Sequence, residues 1–118
     1  MAAVATGDVE GFVPDLVYAE TANAFRSYVL AGALADEDAR AKLAFVTELP
    51  LRIASLRSLA VDALGSALEL GLNVYDACYL VLADAADAVL VTADQRLARA
   101  ATRAVLLPDA APPGASGT

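Results

Sequence analysis

Apolar positions along this chain recur at two periods, and the places where one gives way to the other mark its elements. Phe12-Val13-Pro14-Asp15-Leu16 is short, apolar and β-prone at its start, then punctuated by proline. From Leu16 the spacing turns helical: Tyr18, Ala22, Phe25 and Val29 recur at four, three and four residues and share one face. Gly32 suits the position just past the end of that helix. Asp36 is expected to cap a second helix, with Glu37 and Asp38 in its first turn. Ala39, Leu43 and Val46 give that helix its buried face, and Pro50 stops it. Leu51 to Leu56 alternates and predicts a half-buried or edge strand.

Ser58 is expected to cap a helix that runs through Leu70 and closes at Gly71. Asn73 predicts the cap of another helix, running to about Asp87, with Asp76 three residues on in a near capping-box arrangement. Ala88-Val89-Leu90-Val91-Thr92 is a continuous apolar run of strand length, as in a strand covered on both faces. Thr92-Ala93-Asp94 turns into a short helix through about Ala101, and Ala104 to Leu107 is a last strand. Strands alternating with helices predict an α/β fold, a three-layer α/β/α sandwich around a mostly parallel sheet. Residues 12–107 form the domain. Residues 1–11 read as a remnant or linker ahead of it, and 108–118 as a flexible C-terminal tail of loop composition.

Composition narrows the chemistry. The 118 residues suffice for one small domain, and 58% hydrophobic residues suffice for a core. Eight Lys and Arg against 15 Asp and Glu leave a net charge of −7, which excludes broad electrostatic wrapping of nucleic acid or an anionic membrane. There is no histidine, so His-based triads, general bases and zinc sites are excluded. Cys78 is the only cysteine and sits in the apolar run ACYLVLA, where it reads as a small core residue. No uncharged stretch exceeds nine residues, and MAAVATGDVE lacks the basic and long apolar regions of a signal peptide. A soluble, cytoplasmic protein that makes no membrane contact is expected.

What is left for catalysis is carboxylates, hydroxyls, a few arginines and whatever ion the carboxylates hold. In an open parallel sheet, ligands gather outside the carboxyl ends of the strands. Glu20 lies in the first turns of the helix after the first strand, Asp94 directly follows strand 88–92, and Asp76 lies in the first turn of the helix leading into that strand. Clustered carboxylates repel one another, and a hard divalent cation removes the repulsion. Each acid also has a purely structural reading: Asp76 as a first-turn partner of Asn73, Asp94 as an N-cap, Glu20 as a solvated helix position. Spacing alone leaves both readings open. Arg96, Arg99 and Arg103 form a local basic stripe able to hold RNA phosphates, or simply to favour the dipole at a helix C-terminus. Arg26, beside Glu20 and Asn23, is a further candidate contact.

PDLVYAETANAF together with NVYDACYLVLADAADAVLVTADQRLARA resembles the PIN-domain family, especially the VapC-type toxins of toxin–antitoxin pairs. The pieces that carry the resemblance are Pro14-Asp15-Leu16, Glu20 with Asn23, Tyr75-Asp76-Ala77 with Tyr79-Leu80, and Thr92-Ala93-Asp94 with Arg96-Leu97, in order over about residues 12–107. The resemblance implies a doubly wound α/β fold and an Mg²⁺- or Mn²⁺-dependent ribonuclease that cleaves RNA by metal-activated water. It makes Glu20, Asp76 and Asp94 catalytic metal-site carboxylates, with Thr92 and Asn23 as their polar support. Arg96, Arg99 and Arg26 become contacts to RNA or antitoxin. It further implies a homodimer masked by a cognate antitoxin, with Tyr28 and the Leu30–Leu34 region as contact surfaces.

One part of the family pattern is absent. Its first strand ends in an Asp, in a run like V-D-A-S, and a strand with its helical return needs ~30 residues; only 11 precede Phe12 here. Asp8 and Glu10 lie in a Gly-flanked polar stretch and do not substitute. The N-terminal strand is thus expected to be missing from the centre of the sheet, between strands 12–16 and 88–92, leaving backbone unpaired. Truncation of a longer product, with a weakened metal site, is the favoured expectation. An inactive relic, or a gap filled in cis by residues 1–8 or in trans across a dimer, are the others. The functional alternative is a non-catalytic module that only dimerises or binds an antitoxin. A phosphoryl-accepting receiver is weaker, since the only lysine, Lys42, lies far in sequence from any strand end.

Overall fold

The computed structural model describes residues 10–108 in full and residues 2–5 as backbone. The elements in chain order are β1 (Ala2–Ala5), β2 (Gly11–Pro14), α1 (Leu16–Leu30), α2 (Asp36–Thr47), β3 (Arg52–Ala54), α3 (Leu56–Leu70), α4 (Val74–Ala85), β4 (Val89–Thr92), α5 (Gln95–Ala100) and β5 (Ala104–Leu106). The sheet runs β3-β2-β1-β4-β5. β2 pairs parallel with β3 and β4 parallel with β5, while β1 is antiparallel to both β2 and β4. Four strands therefore share one direction around a reversed central strand, within the expected α/β/α sandwich.

The expectation of an empty central slot is corrected here. Ala2–Ala5 fills it, with Val4 opposite Phe12 on one side and Ala2 opposite Thr92, through Ala5 opposite Val89, on the other. An open slot would leave the facing edges of β2 and β4 without ladder partners, and a short apolar segment satisfies them in either direction. These residues lie inside the sheet, where a linker was expected. They carry no acid, so the slot gains a backbone without the family's carboxylate. Residues 109–118, expected as a tail, lie outside the described residues.

Alternation sorts the sheet into two faces. Leu90 and Thr92 of β4 are buried, as are Ala77, Cys78, Tyr79, Leu80, Leu82 and Ala83 of α4, and Leu90 joins the α4 residues in the main apolar core. α3 lies outside α4 and adds Leu59, Ala63 and Ala67. On the other face Val13 of β2 meets α1, whose own fully buried residues are Val17 and Thr21. The expected apolar face of α1, Tyr18, Ala22, Phe25 and Val29, is only half-buried. Ala22, Phe25 and Val29 line a groove against Ala39 and Leu43 of α2, so this helix presents one face to the sheet and another to its neighbour. Val89 and Val91 are half-buried, so β4 is fully covered on one face only.

Local chemistry sets most helix ends. Gly71 and Gly32 take positive φ of 69° and 77° just past α3 and α1, which glycine adopts without Cβ strain. Asn73 accepts the Asp76 amide at 2.7 Å, as the sequence predicts. Two caps shift. Ala35, not Asp36, flanks α2, which places all three acids Asp36, Glu37 and Asp38 in its first turn. Ser55, not Ser58, caps α3: its Oγ accepts the Ser58 amide at 3.2 Å, and the Ser58 hydroxyl donates to the Ser55 carbonyl at 2.8 Å. Among the described residues no helix is long and apolar enough to cross a membrane.

Candidate active site

The carboxyl ends of β2 and β4 open onto three helix starts, and the acids singled out above lie there. Glu20 is one turn into α1, Asp76 is in the first turn of α4, and Asp94 sits between β4 and α5. Their placement follows from chain direction: β2 and β4 point the same way, so the helices that follow them both begin at one end of the sheet.

Each carboxylate is held by a different device. The buried Tyr79, one turn along α4 from Asp76, donates its hydroxyl to Glu20 Oε1 and so ties α4 to α1. Burial first, and then this bond to Glu20, raise the Tyr79 phenol far above its usual range, so it remains a donor at all working pH. Asp94 Oδ1 accepts the Arg96 amide at 2.8 Å and the Leu97 amide at 3.3 Å, capping α5. Thr92, buried at the end of β4, accepts the Asp94 amide on its Oγ1 at 3.1 Å and fixes the turn that presents Asp94. Asp76 is half-buried, and its backbone amide donates to Asn73 Oδ1.

Electrostatics links the three. Burial raises the Asp76 carboxyl above the usual carboxylate range, and the charges of Asp94 and then Glu20 push it further the same way. Negative charge is thus concentrated at one point with too little to offset it. Among the described residues no three acidic or cysteine side chains converge into a metal-holding group. The donor set nevertheless suits Mg²⁺ or Mn²⁺ in kind, because such ions take hard carboxylate oxygens, retain several waters and commonly use only one or two protein carboxylates. Glu20 and Asp94 each keep a second oxygen outside the hydrogen bonds just described.

The remaining candidates separate. Asn23 is exposed on α1, one turn beyond Glu20, and its backbone carbonyl accepts the Ser27 hydroxyl at 3.2 Å. The arginine stripe is divided by tertiary contacts. Arg96 donates to the Gly71 carbonyl, bracing α5 against the α3–α4 turn. Arg103 bonds the Asp87 carbonyl at 2.6 Å and its carboxylate at 3.0 Å. Arg99 is exposed at the last turn of α5 and lines a hollow with Gln95, Ala98, Thr102 and Leu106. Arg26 is exposed at the α1–α2 groove. Cys78 is buried, and burial raises its thiol, consistent with the core role read from the sequence.

Sequence reasoning quoted two residues for the family resemblance without giving either a role in shaping this end of the sheet. Tyr79 is one, since it sits in an apolar run and its partner Glu20 lies 59 positions away. Asp15 is the other: its Oδ1 accepts the Leu56 amide at 3.1 Å, so it serves the start of α3 across the sheet and makes no side-chain cap for α1, which it precedes. Tyr79→Phe is expected to leave the core packed and to lose the bond to Glu20, at a cost of about 1 kcal/mol in urea denaturation. Loss of Mn²⁺ affinity in the same variant, with little change in fold, marks Tyr79 as a positioning residue for Glu20.

Two comparisons with known proteins bear on this arrangement. No curated protein matches the chain. The family model described as PIN domain matches residues 2–103, most of the chain, from β1 to the residue before β5. With the α/β/α fold and three acids at one end of its sheet, the chain belongs to the PIN-domain family, a nuclease superfamily.

Proposed function

We propose that this chain is a Mg²⁺- or Mn²⁺-dependent endoribonuclease of VapC type, the toxin of a toxin–antitoxin pair, working in the cytoplasm on RNA and held in check by a cognate antitoxin. The observation that carries the reading is the match to the PIN-domain family over residues 2–103, together with Glu20, Asp76 and Asp94 at one end of the sheet. In this reading Glu20, Asp76 and Asp94 are the catalytic ligands, directly or through water. A divalent ion bound there supplies charge neutralisation and an acidified water for attack on a phosphodiester. The chain's own residues do the rest. Tyr79 holds Glu20, Thr92 holds the Asp94 turn, and the α5 amides hold Asp94 Oδ1. Asn23 supports from the Glu20 helix. Arg99 and Arg26 are placed to meet RNA phosphates or an acidic antitoxin segment, whereas Arg96 contributes chiefly through its brace to Gly71.

A second reading, a non-catalytic module that only dimerises or binds an antitoxin, is favoured by one observation: the central strand Ala2–Ala5 carries no acid. Metal binding separates the two. Calorimetric titration of Mn²⁺ into the chain is expected to show binding, and Asp76→Asn to remove it. The same variant is expected to melt higher than the unsubstituted chain in metal-free buffer at neutral pH. A folded-state carboxyl raised by burial and like charge is destabilising once ionised, so folding gains as pH falls through its range, and the amide captures that gain at pH 7. Indifference of both proteins to Mn²⁺ would select the module.

A further inference from the structure

An RNA site on this chain cannot rest on charge. The net charge is −7, and several of the cations are already engaged: Arg40, Arg52 and Arg103 in ion pairs, Arg96 on the Gly71 carbonyl. On the helices that follow β2 and β4, Arg26 and Arg99 are the arginines left exposed without an ion pair among the described residues. One or two phosphate contacts release few counterions and give little affinity. The bases must then supply what the backbone does not. An unpaired base offers a π-face whatever its identity, and an aromatic side chain takes it by stacking.

The acid end of the sheet has a ring free for this. α4 is the most buried helix of the domain and encloses Tyr79 completely, yet Tyr75 in its first turn is 61% exposed. Tyr18 and Tyr28, by contrast, are half-buried. Among the described residues Tyr75 has neither a hydrogen-bond partner nor a ring contact. A tyrosine left in water forfeits the large burial gain of an aromatic side chain, so packing does not account for the ring. The helix fixes where it stands. Tyr75 comes immediately before Asp76 and four residues before Tyr79, so it shares the face of α4 that Tyr79 presents, one turn nearer the helix start. That face looks to α1, because Tyr79 donates to Glu20. The exposed ring is therefore at the rim of the acid cluster, and the half-covered Val74 extends the apolar rim beside it.

We propose that Tyr75 is a base-stacking platform, on which an unpaired nucleobase lies next to the phosphate held at Glu20, Asp76 and Asp94. The inference rests on the nuclease reading and assigns the residue that gives that site its grip on RNA. Tyr75 ligates no metal; it contacts the substrate beside the reacting atoms. A neutral ring releases no counterions, so its contribution is the same at low and high salt, as an acidic RNA-binding protein requires.

Fluorescence anisotropy with a pool of short unstructured RNAs tests it, in Ca²⁺ and with the pool checked intact on a gel. Tyr75→Ala alters an exposed side chain, so its circular dichroism and its Mn²⁺ calorimetry should match those of the unsubstituted chain. Its dissociation constant for the pool should rise at least about fivefold, by the same factor at low and high salt. Tyr75→Phe keeps the ring and should bind as the unsubstituted chain does. Fully paired RNA offers no free base face, so its binding should ignore the alanine. With 2-aminopurine in the pool, binding should quench fluorescence in the unsubstituted chain and in Tyr75→Phe, but not in Tyr75→Ala. Unchanged RNA affinity in Tyr75→Ala overturns the proposal. So does a loss shared by Tyr75→Phe, which would put the effect in the hydroxyl, or a loss that comes with weaker Mn²⁺ binding. A chain that binds Mn²⁺ but no RNA overturns the stacking role alone; one that binds neither overturns the nuclease reading with it.

Discussion

Asp94→Asn is expected to lower metal-dependent RNA cleavage by at least about 100-fold, since loss even of groups that only orient a metal ligand costs 10–100-fold. Its effect on stability should be under about 0.5 kcal/mol. Asp94 has two tasks that this substitution separates. Its Oδ1 caps α5 by accepting the Arg96 and Leu97 amides, and asparagine keeps a carbonyl oxygen there with nearly equal capping power. What the amide removes is the negative charge that acts on Asp76 and that a cation would need. Asp94→Ala removes both and should lose an additional ~1 kcal/mol of folding stability through the cap. Cleavage of a mixed RNA pool in Mn²⁺, read beside urea denaturation, checks the pair. Full activity in Asp94→Asn would sink the assignment of this carboxylate to the metal.

The largest loss of stability is expected from Leu90→Ala, at about 2–5 kcal/mol. Leu90 is fully buried in a strand flanked on both sides, by β1 and β5, and it lies in the core beneath α4. Such a site collapses poorly, so the lost transfer energy is joined by the cost of the cavity. A small domain has only about 5–15 kcal/mol in total, so the substitution removes a large share. The urea midpoint should fall with little change in slope. Leu106→Ala, in the exposed edge strand β5, provides the contrast and should lose well under half as much.

How much of this was visible in the chain depends on where the determining atoms lie. Gly71, Asn73 and Asp94 act on amides or carbonyls within a few residues, so their roles as helix ends are legible from spacing. Ser55 and Ser58 show the limit of that reasoning, because two serines three apart exchange bonds and either can be read as the cap. The faces of α1 blur because it packs against both β2 and α2. The arginine stripe is regular in sequence, yet Arg96 and Arg103 find carbonyls 25 and 16 positions away, which no local pattern encodes. β1 is the extreme case. AAVA has no alternation to announce a strand, and only the open edges of β2 and β4 make it one. For the site, the three acids were legible as candidates, while the tyrosine that holds one of them was hidden in an apolar run.

The position of β1 also dictates an order of events. Its partners come from opposite ends of the chain: β2 follows almost at once, but β4 is among the last elements synthesised. During translation β1 therefore pairs on one side only and waits for most of the domain before the second ladder forms. Closing so long a loop late is entropically slow, and native pairing between distant segments lowers folding rates generally. The centre of this sheet is expected to be the last part of the domain to lock during folding, although β1 precedes the other described elements in the chain.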